Sequence, residues 1–261
     1  MRSMSFGFII VLLMLLINGC AQQSVHGDMT AEQHQKRLQQ SAKVHTELAA
    51  EYYRRGQFGV AIDEITEALQ ADASYAPAHN VLGLIYMELH DNDMAHKNFK
   101  QALTLTPNDP EIHNNYGWFL CQRAPQQMDK AMDHFLVAIR NRLYMTPEKS
   151  FTNAGVCEIK RGDYDAASEY FRRALSIQSN YSPAVVGLIE VDYRKGSVTG
   201  AKTKLSKYMQ RTKPTPEGLW LAIQIAREMG DQHAADSYQF QLQKHFPHSK
   251  EATALREDRF K

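Results

Sequence analysis

The chain has no excess of either charge. Thirty Lys and Arg stand against 29 Asp and Glu, a formal net charge of +1 over 261 residues. A nucleic-acid binder would show a strongly basic face, so that class is set aside. Fourteen glycines and nine prolines are too few for a collagen-like or low-complexity disordered chain. Long apolar runs are also scarce. The one present, residues 6–17, is shorter than the roughly 20 residues that a membrane span needs. Cysteine is rare, with only Cys20, Cys121 and Cys157.

The signatures of catalysis are missing as well. There is no Gly-rich phosphate loop, no Gly-x-Ser-x-Gly elbow and no His-Glu-x-x-His, and the serines lack histidine partners at meaningful spacing. Eleven histidines invite a metal reading. Yet His90 and His96 flank one turn and His245 and His248 flank Pro247, with no second ligand one helical turn away beside Cys or carboxylates. Asp163, Asp165 and Glu169 cluster where a helix is expected to begin, and acidic residues there complement the helix dipole. The expectation is a protein with no enzymatic activity, no cofactor, no metal and no small-molecule substrate.

What is present begins with a targeting segment. Arg2 precedes the apolar run, which ends in Ile17-Asn18-Gly19-Cys20. This resembles the lipobox of bacterial lipoproteins, in which the cysteine is lipidated and becomes the first residue. Asn18 and Ile17 depart from the commonest choices, and plain cleavage or an uncleaved anchor are the alternatives. Residues 1–19 are thus expected to be a signal peptide and 20–29 a tether lipidated at Cys20. A two- or three-chain anchor holds a membrane stably where one acyl chain is marginal. Ala21 follows the cysteine, and in the enterobacterial sorting rule a residue other than Asp there implies the outer membrane, periplasmic side.

The rest of the chain is periodic. An alanine, a large apolar residue four places on and a second alanine recur at Ala61/Ile65/Ala68, Ala95/Phe99/Ala102, Ala131/Phe135/Ala138 and Ala167/Phe171/Ala174. Weaker copies follow at Ala201/Leu205/Tyr208 and Ala234/Tyr238/Gln241. The first residues of the copies step by 34, 36, 36, 34 and 33. A helix carrying small residues precedes each copy, as at Gly83, Gly117 and Gly155. Turn residues such as Gly56, Gly162-Asp163 and Gly230-Asp231 separate the two helices of a unit, and prolines fall near the joins between units.

This pattern resembles the tetratricopeptide repeat. Small residues let the two helices of a unit approach closely, and the large residue fills the space beside them. The fold expected is all-α: a right-handed superhelical solenoid of six repeats over residues 30–261. The repeats fall at about 42–75, 76–109, 110–147, 148–181, 182–214 and 215–248, with a capping helix over 249–261. The third is long, with an extended internal turn near 123–128 and an extended link near 142–147. Thr30-Ala31-Glu32-Gln33 reads as a capping box opening the first helix.

In tetratricopeptide stacks the first helices line a concave groove. The groove positions map here to Asn80, Leu84 and Met87, then Asn114 and Trp118 with Cys121, then Thr152, Val156 and Ile159, then Glu190 and Tyr193. Such an apolar, amide-rich surface suits an extended or helical peptide. Trp118 has a second reading, as core between repeats. Cys121 and Cys157 lie on first helices of consecutive repeats and are expected to pair in the oxidising periplasm. The alternative is two small buried side chains.

The lipobox, the short spacer, the repeats and the stretch from Asn114-Asn115-Tyr116-Gly117-Trp118 to Cys121 together resemble the PilW/PilF family of type IV pilus biogenesis lipoproteins. Asn153-Ala154-Gly155-Val156-Cys157 and the tail Gln241-Leu242-Gln243-Lys244-His245-Phe246-Pro247 add to the resemblance. It implies a pilotin that binds subunits of the outer-membrane secretin and promotes their localisation, ring assembly and pilus stability. A monomer is the default expectation. The rival reading is another periplasmic lipoprotein adaptor of the same fold, serving outer-membrane protein assembly or peptidoglycan enzymes.

Overall fold

The computed structural model describes residues 30–258. The segments expected to be a signal peptide and a tether lipidated at Cys20, and positions 259–261, lie outside the described residues. Among the described residues there are thirteen α-helices and no strands. They alternate as first and second helices of six antiparallel pairs: α1 (Ala31–Arg54) with α2 (Phe58–Ala71), α3 (Ala76–Glu88) with α4 (Asn92–Leu105), and α5 (Pro110–Arg123) with α6 (Met128–Arg140). Then come α7 (Pro147–Arg161) with α8 (Tyr164–Ile177), α9 (Ser182–Arg194) with α10 (Val198–Arg211), and α11 (Pro216–Glu228) with α12 (Gln232–His245). A last helix, α13 (Lys250–Asp258), caps the stack.

Helix starts follow from capping chemistry. Thr30 and Gln33 form the reciprocal capping box of α1. Asp91, Asp163 and Asp231 each accept from a backbone N–H of the helix that they open. Pro stands in the first turn of α3, α5, α7, α9 and α11, where its missing N–H costs nothing. Between paired helices the chain reverses through a left-handed residue. Gly162 takes it at φ +86°, and in the second unit His90 takes it at φ +62° without glycine's freedom. The third unit has no such residue and turns through a short 3-10 segment, Pro125–Gln127, which accounts for its extra length.

The core is the repeated small-against-large contact. Phe99, Phe135 and Phe171 are fully buried, as are the alanines a turn to either side of each. A Cβ added at Gly83 would fall 2.9 Å from the Phe99 ring, and one at Gly117 2.9 Å from that of Phe135. The two helices of a unit therefore meet at a distance that only glycine permits.

In the sixth unit the buried set is Ala235, Gln239 and Leu242, one residue later than the spacing Ala234/Tyr238/Gln241 implied. Two successive alanines left the register open, and a glutamine occupies the place where an apolar residue marks the other units. Beyond it, Ala252 and Leu255 of α13 pack on Leu219, Ile223 and Leu242, covering the apolar end that the sixth repeat would otherwise expose.

Polar residues link the units. His45 meets Glu64 at 2.7 Å, His79 meets Asn98 at 3.2 Å and His113 meets His134 at 2.8 Å, each joining the two helices of one repeat. The other ring nitrogens of His79 and His113 reach the Ala73 and Pro107 carbonyls in the link from the preceding unit. Cys121 of α5 and Cys157 of α7 are joined in a disulfide, with Cα atoms 5.9 Å apart, inside the range that the bond requires. Both are buried.

Candidate functional site

Four first helices share one cleft. Trp118 comes from α5; Thr152, Asn153 and Val156 from α7; Val186, Gly187 and Glu190 from α9; and Glu217, Trp220, Leu221 and Gln224 from α11. Lys250 and Glu251 close one side from the start of α13, and the cleft holds about 380 Å³. A second depression of about 520 Å³, lined by Ile159, Lys160, Arg161 and Arg194, adjoins it through Val156 and Glu190. The result is a trough across repeats three to six, wider than one side-chain pocket. Trp118 has a double role: its ring is partly buried against the central core while it also lines the cleft.

The positions mapped from sequence divide accordingly. Trp118, Thr152 and Val156 line the main cleft and Ile159 the adjoining one. Asn80, Met87 and Asn114 are buried instead, as is Cys121 within its disulfide. Asn115 donates to Asn80 at 3.3 Å, so Asn80 joins α3 to α5. Asn114 accepts from Ser150 at 2.8 Å and from Asn153 at 3.0 Å, joining α5 to α7. These amides hold neighbouring repeats together where a free groove amide was expected, because successive first helices pack side by side and bury that row. Leu84 is partly buried on the central core, and Tyr193 packs on the core formed by α9, α10 and α11.

Sequence mapping left out Trp220, Gln224 and Lys250. The first two were within reach, since one further 34-residue step from Val186 and Glu190 arrives at Trp220 and Gln224. Lys250 gave no signal, because its place beside the cleft depends on how the cap folds back. Its ammonium lies 6.0 Å from the centre of the Trp118 ring.

The polar groups of the site are unevenly satisfied. Thr152 is 5% exposed, and its hydroxyl has no hydrogen-bond partner among the described residues. Thr46, Thr66 and Thr203 instead bond the carbonyl one turn back. Glu190 is bonded to Arg194 at 3.2 Å. Burial pushes the Glu251 carboxyl up, against the opposing pull of Lys250 at 3.7 Å. Partial desolvation, and then the charges of Lys250 and Arg123, hold the Lys160 amine below its ordinary range.

No group of three His, Cys, Asp or Glu among the described residues is placed to hold a metal, and no described helix is long and apolar enough to cross a membrane. The acidic cluster has ordinary duties: Asp163 caps α8, Asp165 pairs with Lys195 and Glu169 with Arg172.

Comparison with known proteins agrees with this architecture. Family models for the tetratricopeptide repeat match residues 76–109 and 148–181. The chain is 24% identical over 243 residues to the type IV pilus assembly protein PilF of Pseudomonas aeruginosa, covering 93% of this chain and 94% of that one. The solved structure of the P. aeruginosa protein shares the fold, with a TM-score of 0.63 over 85% of this chain and 99% of that one. The crystal structure of PilW, described as a widely conserved type IV pilus biogenesis factor, matches at a TM-score of 0.66 and 34% identity, over 82% of this chain and 97% of PilW. Sharing a third of its residues with nearly the whole of PilW, in the same succession of helical repeats, this chain belongs to the PilF/PilW family of tetratricopeptide-repeat proteins of type IV pilus biogenesis.

Proposed function

We propose that the protein is an outer-membrane lipoprotein that binds subunits of the pilus secretin and promotes their localisation and ring assembly, acting as a scaffold without catalysis. The observation that carries the binding reading is the trough across repeats three to six, in which Trp118, Val156 and Trp220 are accessible beside a buried, unpartnered threonine hydroxyl. Aromatic side chains in a concave site with a few convergent polar groups are the usual anchors of protein recognition. Family membership supports the pilus system as the setting. The lipobox-like Ile17-Asn18-Gly19-Cys20 followed by Ala21 supports the outer membrane. Anchoring would then hold bound secretin subunits at one surface and raise their effective concentration, which favours ring closure without any new contact.

Co-purification of the full-length protein from detergent-solubilised membranes tests this. The secretin is expected with the wild type and reduced with a Trp118→Ala, Trp220→Ala variant of unchanged helical content. A different envelope protein in its place would favour the adaptor reading. Radiolabelled palmitate incorporated by the wild type and absent from Cys20→Ala tests the anchor.

A further inference from the structure

Two lysines reach the α5 wall of the trough. Trp118 and Gln122 lie one turn apart on α5. Lys250 stands over the Trp118 ring, and Lys160 donates to Gln122 Oε1 at 2.5 Å. Arg123 follows on the same helix; one of its terminal nitrogens donates to the Met87 carbonyl at 3.2 Å, while its Nε is buried without a partner. The nearby carboxylates are already committed. Arg161 takes both Asp129 and Glu158, Arg194 takes Glu190, and Glu251 is buried beside Lys250. Lys160 is bonded to an amide and not to a carboxylate. The one exposed acid of the cleft, Glu217, stands in the first turn of α11, on the side of Glu251, whose carboxyl its charge helps to raise. Lys160 and Lys250 thus reach side chains one turn apart on the same helix, at Gln122 and Trp118.

We infer that the trough takes a peptide segment with an acidic side chain next to a large apolar one, the apolar group entering beside Trp118 and Trp220 and the carboxylate lying against Lys160 and Lys250. This deepens the protein-binding reading above and rests on it, but does not depend on the secretin being the partner. A peptide fits better than a compact anion for two reasons. The site is elongated, crossing four helices. It also offers both donors and acceptors, in the Asn153 and Gln224 amides, which match the alternating N–H and C=O groups of a backbone. The cations add what those groups lack, a preference for one charge sign.

Random peptides displayed on phage, selected on detergent-solubilised full-length protein, test the inference. Selection is expected to enrich Asp or Glu adjacent to Trp, Phe or Leu. On the Lys160→Glu, Lys250→Glu variant the acidic residue should be replaced by Lys or Arg. A synthetic peptide from the first selection should bind wild type at least about tenfold more tightly than this variant and should weaken with added salt. The Lys160→Arg, Lys250→Arg variant should bind like wild type, which separates lost charge from lost fold. Failure to enrich any sequence, a consensus without an acid, or an affinity indifferent to both lysines would overturn the inference. If acidic–apolar peptides are selected while the secretin does not bind, the secretin reading falls and this one stands. If the secretin binds with Lys160 and Lys250 reversed, this one falls and the secretin reading stands.

Discussion

Gly187 of the fifth repeat lies directly against the ring of Phe171 in the fourth, so closely that a Cβ there would come within 2.4 Å of the ring edge. The same ring meets Gly155 of its own repeat, where a Cβ would fall 2.7 Å away. Phe171 is therefore held between two glycines and fixes both the pairing within one unit and the docking of the next.

Gly187→Ala should be destabilising despite alanine's better helix propensity. Overpacking costs about 1–3 kcal/mol, against roughly 1 kcal/mol gained from removing a helical glycine. Urea unfolding should show a lower midpoint. Combining it with Phe171→Leu should cost less than the sum of the two single changes, because the smaller side chain makes room for the added methyl. Strict additivity would mean that the ring is not the obstacle.

His90 occupies the left-handed turn that glycine fills in the first, fourth, fifth and sixth repeats. That conformation costs a side-chain-bearing residue about 1–2 kcal/mol, and glycine's extra freedom in the unfolded chain returns about 0.4–1 kcal/mol of any gain. His90→Gly should therefore raise stability by up to about 1 kcal/mol, visible as a higher thermal midpoint. A fall on the same scale would show that the imidazole contributes more than its backbone strain costs.

His134 makes part of the stability depend on pH. Burial, and then the neighbouring His113, pull its imidazole down to about 4. The Pro107 carbonyl only accepts, so His113 Nε2 donates to it; with both rings neutral, His134 Nδ1 donates to His113 Nδ1. The folded state thus binds fewer protons at His134 than the unfolded chain does. Its contribution is complete above the ordinary histidine value of about 6.5 and is lost as pH falls from there toward about 4. His134→Asn copies the second repeat, where Asn98 faces His79 at 3.2 Å, and carries no titrating ring. The difference in unfolding free energy between wild type and variant should change across that window and be flat above it.

The Cys121–Cys157 disulfide closes 36 residues between repeats three and four. Replacing both cysteines by alanine should lower the unfolding free energy by about 2–4 kcal/mol, chiefly by releasing the unfolded chain. Thiol labelling of the native, non-reduced protein should leave both residues unmodified. An equal midpoint with and without the bond would show that it carries no stability.

The repeats were legible in the sequence because each contact that defines them is local and recurs. Alanine, a large apolar residue four places on and alanine again set one face of a helix, and Gly83, Gly117 and Gly155 mark where its partner must approach. That regularity weakens where substitution breaks it. Gln239 at a core position, after two successive alanines, displaced the reading of the sixth repeat by one residue. The pairing of Cys121 with Cys157 followed from the adjacency of first helices, which the fold class already implies.

The site was less legible. Position within a helix told which residues lie on the row facing the concave side, but not how far neighbouring repeats bury that row. Asn80, Met87 and Asn114 lie on it and are covered, while Trp118 and Val156 lie on it and remain accessible. The sequence by itself determined the helices, their pairing and the small-against-large core, since these depend on spacings shorter than one repeat. The tertiary structure alone decided which part of the concave face stays open and brought Lys250 of the cap over Trp118 of the third repeat. Small rotations between successive units accumulate along the stack, and no local pattern of residues records their sum.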